Sequence, residues 1–296
     1  MRTTILIAAA LGLGACASSQ ATQPNTTKLP LGDNHYTSSP KTGWVDSCQT
    51  SFPSGGEGAF ADGPWIDTSN NTWDLTSKLK VQGNVSHQAV HKVTISGSHT
   101  KITGNGLPSI SGTFPISASD PAYQYDRNPN SVKGYTLSVS LPANPKLASK
   151  PTCIGGTIGV TTTGIPIYSA FDATGRDANA HEIQDKCSGH PQRSGQYHYH
   201  GLSACWKDTG KKGGQSGLFG YALDGFGIYG PRTASGQKVS SKDLDACHGT
   251  TSSVLWHGHW KRMYHYVATA DFPYLVSCYR GTPISSATGL GIGPPH

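Results

Sequence analysis

The tetrapeptide Tyr197-His198-Tyr199-His200, followed by Gly201, interleaves two imidazoles with two phenols. In an extended strand successive side chains point to opposite faces, so His198 and His200 share one face and Tyr197 and Tyr199 the other. The Cβ atoms of the two histidines then lie about 6.5–7 Å apart, twice the rise per residue of a strand. Imidazoles converging from that separation can hold one metal ion or one anionic group, while the tyrosines anchor the strand to a core behind it. A shorter version, Tyr264-His265-Tyr266, follows downstream.

Eight of the thirteen histidines fall between residues 181 and 265. Nitrogen donors in such density favour copper or zinc. The central pair is His198 and His200, and His181 and His265 are the next candidates. His257 and His259, within Trp256-His-Gly-His-Trp260, form another i, i+2 pair that would make a second site or join the first. His190, in Gly189-His190-Pro191, reads equally well as a turn residue or a ligand. A ligating histidine needs its other ring nitrogen held in place. Of the available carboxylates Asp177, Glu182, Asp185, Asp224 and Asp245, Asp224 fits that role best, although an Asx contact before Gly225 explains it as well.

Catalysis has weaker support. Glu182, next to His181, is a candidate general base, but no H-E-x-x-H spacing accompanies it and no G-x-S-x-G elbow is present. Two non-catalytic accounts compete with a metal. Tyrosines and histidines also build buried hydrogen-bond networks without a ligand, and Trp206, Trp256 and Trp260 could stack on sugar rings.

The start of the chain bears on where this chemistry takes place. Arg2 precedes an apolar run, Ile5 to Leu13, too short to span a bilayer comfortably. Leu13-Gly14-Ala15-Cys16 resembles a bacterial lipobox, implying cleavage after residue 15, acylation of Cys16 and export, with the outer membrane expected because Ala17 follows the cysteine. Of seven cysteines, assigning Cys16 to lipid leaves six for three disulfides in an oxidising compartment. Fifteen pairings exist; pairing sequence neighbours gives Cys48–Cys153, Cys187–Cys205 and Cys247–Cys278. Cysteine-ligated zinc competes, but no C-x-x-C spacing is present.

The net charge is +6, yet the basic residues are scattered. Lys207, Lys211 and Lys212 form the nearest cluster, in a glycine-rich loop, so no nucleic-acid partner is expected. Membrane contact is expected through the lipid alone.

Residues 16–43 read as the lipidated cysteine and a disordered polar tether, and 44–296 as one mainly β, sandwich-like domain with few short helices. Short strands are expected near 79–81, 90–95, 101–103 and 135–141, and short helices within 178–185 and 241–246. An internal repeat organises the second half. Gly159-Val-Thr-Thr-Thr-Gly164-Ile-Pro-Ile167-Tyr168 matches Gly220-Tyr-Ala-Leu-Asp-Gly225-Phe-Gly-Ile228-Tyr229, and each copy then runs through a cysteine, a Tyr-His-Tyr and another cysteine. The expectation is two related units, about 153–205 and 215–281, packed face to face with their histidine strands near a pseudo-twofold axis. Val267 stands where the first copy has His200.

Asp177-Ala-Asn-Ala-His181, Gly195-Gln-Tyr197-His-Tyr-His200-Gly201 and Gly220-Tyr-Ala-Leu-Asp-Gly225-Phe-Gly-Ile-Tyr229-Gly230 resemble the signatures of the YHYH domain family. Gly104-Asn-Gly106-Leu-Pro108 and Gly112-Thr-Phe-Pro115 resemble its N-G-I-P and G-x-F-P segments. Leu244-Asp245-Ala-Cys247-His-Gly249 and Phe272-Pro-Tyr274…Cys278-Tyr-Arg-Gly281 fit downstream, so the resemblance spans residues 90 to 281. Ser109-Ile110 and Thr161–Thr163 depart from the family pattern. The resemblance implies an exported protein and adds little mechanism. The expected function is therefore transition-metal binding in the cell envelope. A metal-dependent hydrolase or oxidoreductase and a metal-free ligand-binding or structural module are the alternatives.

Overall fold

The computed structural model describes residues 24–53 and 59–291. The expected export signal, Cys16 and the beginning of the expected tether lie outside the described residues. Alternating sequence gives a small antiparallel sheet of β1 (His91–Ser96), β2 (His99–Gly104) and β3 (Leu137–Pro142), in the order β3-β2-β1. Leu137, Val139 and Leu141 point inward from β3 and are buried, as period-two alternation requires. The 79–81 segment is not a strand; Val81 makes one isolated bridge to Asp185.

Eight strands form the main sheet: β4 (Thr157–Thr161), β5 (Pro166–Tyr168), β6 (Gly189–Pro191), β7 (Tyr197–Tyr199), β8 (Leu218–Ala222), β9 (Gly227–Tyr229), β10 (Gly249–Trp256) and β11 (His259–Val267). Their order is β6-β7-β5-β4-β8-β9-β11-β10. Reading outward from the central β4–β8 pair, each side repeats one plan. An antiparallel hairpin is followed by a parallel neighbour and then by an antiparallel edge strand. The hairpin turns contain Gly164 and Gly225 at φ of +77° and +87°, a region that glycine enters without a Cβ clash.

This arrangement corrects the expected packing. The two four-strand units lie side by side in one sheet rather than face to face, and their histidine strands, β7 and β11, are five strand spacings apart. At about 4.8 Å per spacing, that separation is about 24 Å.

A single core joins both sheets, and it also takes in the N-terminal segment. Leu29–Pro30 pairs with Thr72–Trp73, and Leu29 and Leu31 are buried. The described part of the expected tether is therefore folded against the domain. Its average polarity concealed two inward-facing leucines in Lys28-Leu-Pro-Leu-Gly32. The helical segments are short: α1 (Ala178–His181), capped by Asp177, and 3₁₀ turns at Pro121–Gln124, capped by Asp120, and at Ser241–Asp243, capped by Ser240. Disulfides join Cys48 to Cys153, Cys187 to Cys205 and Cys247 to Cys278. No helix among the described residues is long and apolar enough to cross a membrane.

Two carboxylates hold equivalent corners of the sheet. Asp185 accepts from the Cys187 and Gly189 amides and from Tyr197 Oη at 2.9 Å. Asp245 accepts from the Cys247 and Gly249 amides and from Tyr264 Oη at 3.1 Å. The tyrosine rings lie so close to Gly189 and Gly249 that a Cβ would come within 2.4 and 2.2 Å of them.

If residues 24–43 are integral to the fold, Leu29→Ala should destabilise the protein by about 2–5 kcal/mol in chemical denaturation, the usual cost of truncating a buried leucine. A loss below about 0.5 kcal/mol, the scale of exposed sites, would restore the tether reading.

Candidate metal centre

β7 carries the sequence signature in the expected orientation. Tyr197 and Tyr199 face the core, and His198 and His200 share the opposite face. The third histidine comes from the edge strand. His190 on β6 is the direct cross-strand partner of His198, and partners in a ladder project on the same side. Donor atoms of His190, His198 and His200 all lie within 4.8 Å of one another, and all three side chains are buried.

The backbone fixes two of the rings. His200 Nδ1 donates to the Ser169 carbonyl at 2.6 Å, and His198 Nδ1 donates to the Gln196 carbonyl at 3.3 Å. A carbonyl only accepts, so each neutral ring carries its proton on Nδ1 and presents a bare lone pair at Nε2. Those two Nε2 atoms stand 3.0 Å apart. Two lone pairs at that distance repel unless a proton or cation lies between them. Imidazole nitrogens bind zinc at about 2.0–2.1 Å, and two such donors at tetrahedral angles are about 3.3 Å apart. Neither nitrogen of His190 has a hydrogen-bond partner, although the ring is buried. Tyr168, at the end of β5, stacks on His198 with ring centroids 4.0 Å apart and donates from Oη to Gln196.

Glu182 approaches from α1. Its Oε2 is 3.3 Å from His200 Nε2 and 3.5 Å from His190 Nε2, buried and without a hydrogen-bond donor. The short helix is pinned at both ends. The Asp177 carboxylate accepts from the Asn179 and Ala180 amides, from Gly32 and from Tyr274 Oη. At the other end, buried Lys78 donates to the Asn179 and Glu182 carbonyls and to Gln184 Oε1. The three histidines and Glu182 form part of the wall of a cavity of about 460 Å³, which Tyr168, Asp172, Asn128 and Gln192 also line.

Electrostatics keep this floor uncharged. Burial, reinforced by the neighbouring imidazoles, holds His190 and His198 well below the ordinary histidine value, and burial draws His200 down to about 4. Burial raises Glu182 well above the ordinary carboxylate value, and the nearby Asp172 and Asp126 add to the effect. Neutral imidazoles are the form that ligates metals, and a bound cation would favour ionised Glu182.

The other expected ligands lie elsewhere. His181 points away from the cluster and is held between Asp33 at 2.9 Å and Asp62 at 3.0 Å. Burial opposes its charged form, but the Asp33 and Asp62 carboxylates outweigh burial and raise its pKa. His265 occupies the place of His198 in the other unit, on β11. Its cross-strand partner is Thr250, and its Nδ1 donates to the Met263 carbonyl.

Asp224 supports no ligand. It accepts from Tyr266 Oη at 2.6 Å, from the Gly281 and Arg280 amides and from Phe226 as an Asx contact. His257 sits at the β10–β11 turn stacked on Trp256, and His259 beside it is exposed. Of the three tryptophans weighed for sugar stacking, Trp256 is buried, Trp206 is half-buried and Trp260 is exposed.

His190 is the member of the cluster hardest to read from sequence, because Gly189-His190-Pro191 suits a turn as well as a strand. The available signal was the matched spacing Cys187-Ser-Gly189 and Cys247-His-Gly249, which sets His190 at a strand start.

The fold and cluster together define a mainly β, disulfide-bonded domain with a buried three-histidine face. The family model described as YHYH protein matches residues 138–241, a stretch that contains all three histidines. No curated protein and no solved structure matches the chain.

In metal-free protein the His200 ring should stay neutral down to about pH 4, read from its imidazole ¹⁵N shifts. The unfolded chain takes up this proton near pH 6.5 and the folded chain only near 4, so His200 costs stability progressively as pH falls through that window. The denaturation free energy of the parent relative to His200→Gln should therefore fall from pH 6.5 to 4. A rise would contradict the burial argument.

Proposed function

We propose that this domain binds one transition-metal ion, copper or zinc, through His190, His198 and His200, with Glu182 as a fourth donor or as the partner of a metal-bound ligand. The observation that carries the reading is the pair of bare Nε2 atoms 3.0 Å apart, beside a buried histidine and a carboxylate oxygen that lack partners. Without an ion the His190 ring and Glu182 Oε2 have no hydrogen-bond partner, and buried polar groups seldom remain so. Three imidazoles and a carboxylate suit both zinc and copper(II).

The setting we propose is the cell envelope, with the chain lipid-anchored at Cys16. Three disulfides and the lipobox-like start support export. A second reading, metal-dependent hydrolysis or oxidation, is favoured by one observation. The donors open on a cavity of about 460 Å³, which leaves room for a substrate beside the metal.

Tag-free protein loaded with zinc or copper(II) should retain one ion per chain by elemental analysis. Single His190→Ala, His198→Ala and His200→Ala variants should each lose affinity by at least about 100-fold, the upper end of what outer-shell changes cost. The His198→Ala, His200→Ala double variant should retain none. His265→Ala and His257→Ala should leave stoichiometry unchanged. Unaltered stoichiometry in the double variant would falsify the assignment.

A further inference from the structure

All three histidines lie inside one covalent loop. The Cys187–Cys205 disulfide joins residues 18 apart in sequence, and His190, His198 and His200 fall between them. Strand β6, which carries His190, is a sheet edge three residues long that pairs only with β7. Cys187 stands two residues before β6, and Cys205 stands six residues after β7. The disulfide therefore ties the root of the edge strand to the segment leaving its only neighbour. The Ser203 hydroxyl donates to the Cys187 carbonyl across the same junction.

The three disulfides differ in access. Cys247 and Cys278 are both buried, and Cys48 and Cys153 are both half-buried. Cys187 is buried but Cys205 is an exposed residue, so of the three disulfides the loop-closing bond is the one with a half-cystine at the surface, where a thiolate can approach.

We propose that the Cys187–Cys205 disulfide is a redox control on the histidine centre: closed, it holds His190 against His198 and His200; opened, it releases β6 and weakens metal binding. The inference rests on the metal-binding reading above. The partner is a dithiol reductant. One thiolate attacks Cys205 Sγ, forming a mixed disulfide and releasing the Cys187 thiolate. The second thiol of the reductant then displaces Cys205. Two electrons and two protons pass to the protein, and the reductant leaves as its own disulfide.

The test uses the full chain with zinc and copper(II) as probes. Protein briefly treated with a dithiol is alkylated, freed of reagent and mapped by mass spectrometry before metal is added. Opening of Cys187–Cys205 should lower affinity at least about tenfold, the scale on which loss of supporting contacts acts at metal sites. The copper(II) electron paramagnetic resonance spectrum should fall from three coupled nitrogens to two. A Cys187→Ser, Cys205→Ser variant should behave alike, and Cys48→Ser, Cys153→Ser should match the parent. If the first variant does not fold, the mapped, reduced protein decides. Parent affinity and a three-nitrogen spectrum after the bond has opened would overturn the proposal. A parent that binds neither metal with its disulfides intact would overturn the metal reading, and this proposal with it.

Discussion

The placement of the site depends on one buried carboxylate. Asp185 gathers the amides at the start of β6, the phenol of Tyr197 on β7 and the Gly112 amide from a distant segment. These bonds set the register in which His190 faces His198. A slip of one residue would turn the imidazoles toward the core and the tyrosines toward the cavity. The donor face exists because a charge-capable group behind the strand is fully engaged there. Burial raises the Asp185 pKa, and the Gly112, Tyr197, Cys187 and Gly189 donors resist that rise.

The same low-polarity interior governs the donors themselves. Three imidazoles and a carboxyl group share a small volume, and burial suppresses the charged form of each. A neutral cluster avoids the large cost of isolated buried charge. It still leaves lone pairs opposed, because the Ser169 and Gln196 carbonyls have already committed the Nδ1 protons. The divalent cation proposed above would resolve both difficulties at once: it would take up the lone pairs, and its charge would favour ionised Glu182 where burial alone disfavours it.

Much of this was legible in the sequence wherever the argument was local. Alternation in Tyr197–His200 fixed the two faces of β7, and the run through Leu137, Val139 and Leu141 marked β3. Short helices expected within 178–185 and 241–246 appear as Ala178–His181 and a 3₁₀ turn at Ser241–Asp243. Longer-range inferences were poorer. The similarity between the two stretches of sequence did not reveal whether they stack or lie side by side, since either arrangement buries the same residues. Side-by-side packing is what separates His265 from His198. His181 was expected as a ligand because it closes the motif before the histidine strand, yet adjacent residues at a helix end project in different directions. It was the Glu182 side chain that reached the cluster, while His181 turned to Asp33. His190 required knowledge of a cross-strand pairing that a three-residue strand containing proline does not announce.

The second unit shows how little of the donor face is owed to the sheet. There Asp245, Tyr264 and Gly249 repeat the contacts of Asp185, Tyr197 and Gly189, so the backbone plan persists without the other half of the chemistry. Thr250 stands opposite His265, and Val267 follows where the first unit has His200. A single imidazole whose Nδ1 is satisfied is an ordinary buried histidine. Two more on the same face put the Nε2 atoms of His198 and His200 3.0 Å apart beside a His190 ring that has no hydrogen-bond partner. The shared framework accounts for the strands, turns and cysteines of both units, but it gives no reason for histidine at 190 and 200. On the metal-binding proposal, those two identities supply the nitrogen donors that would join His198.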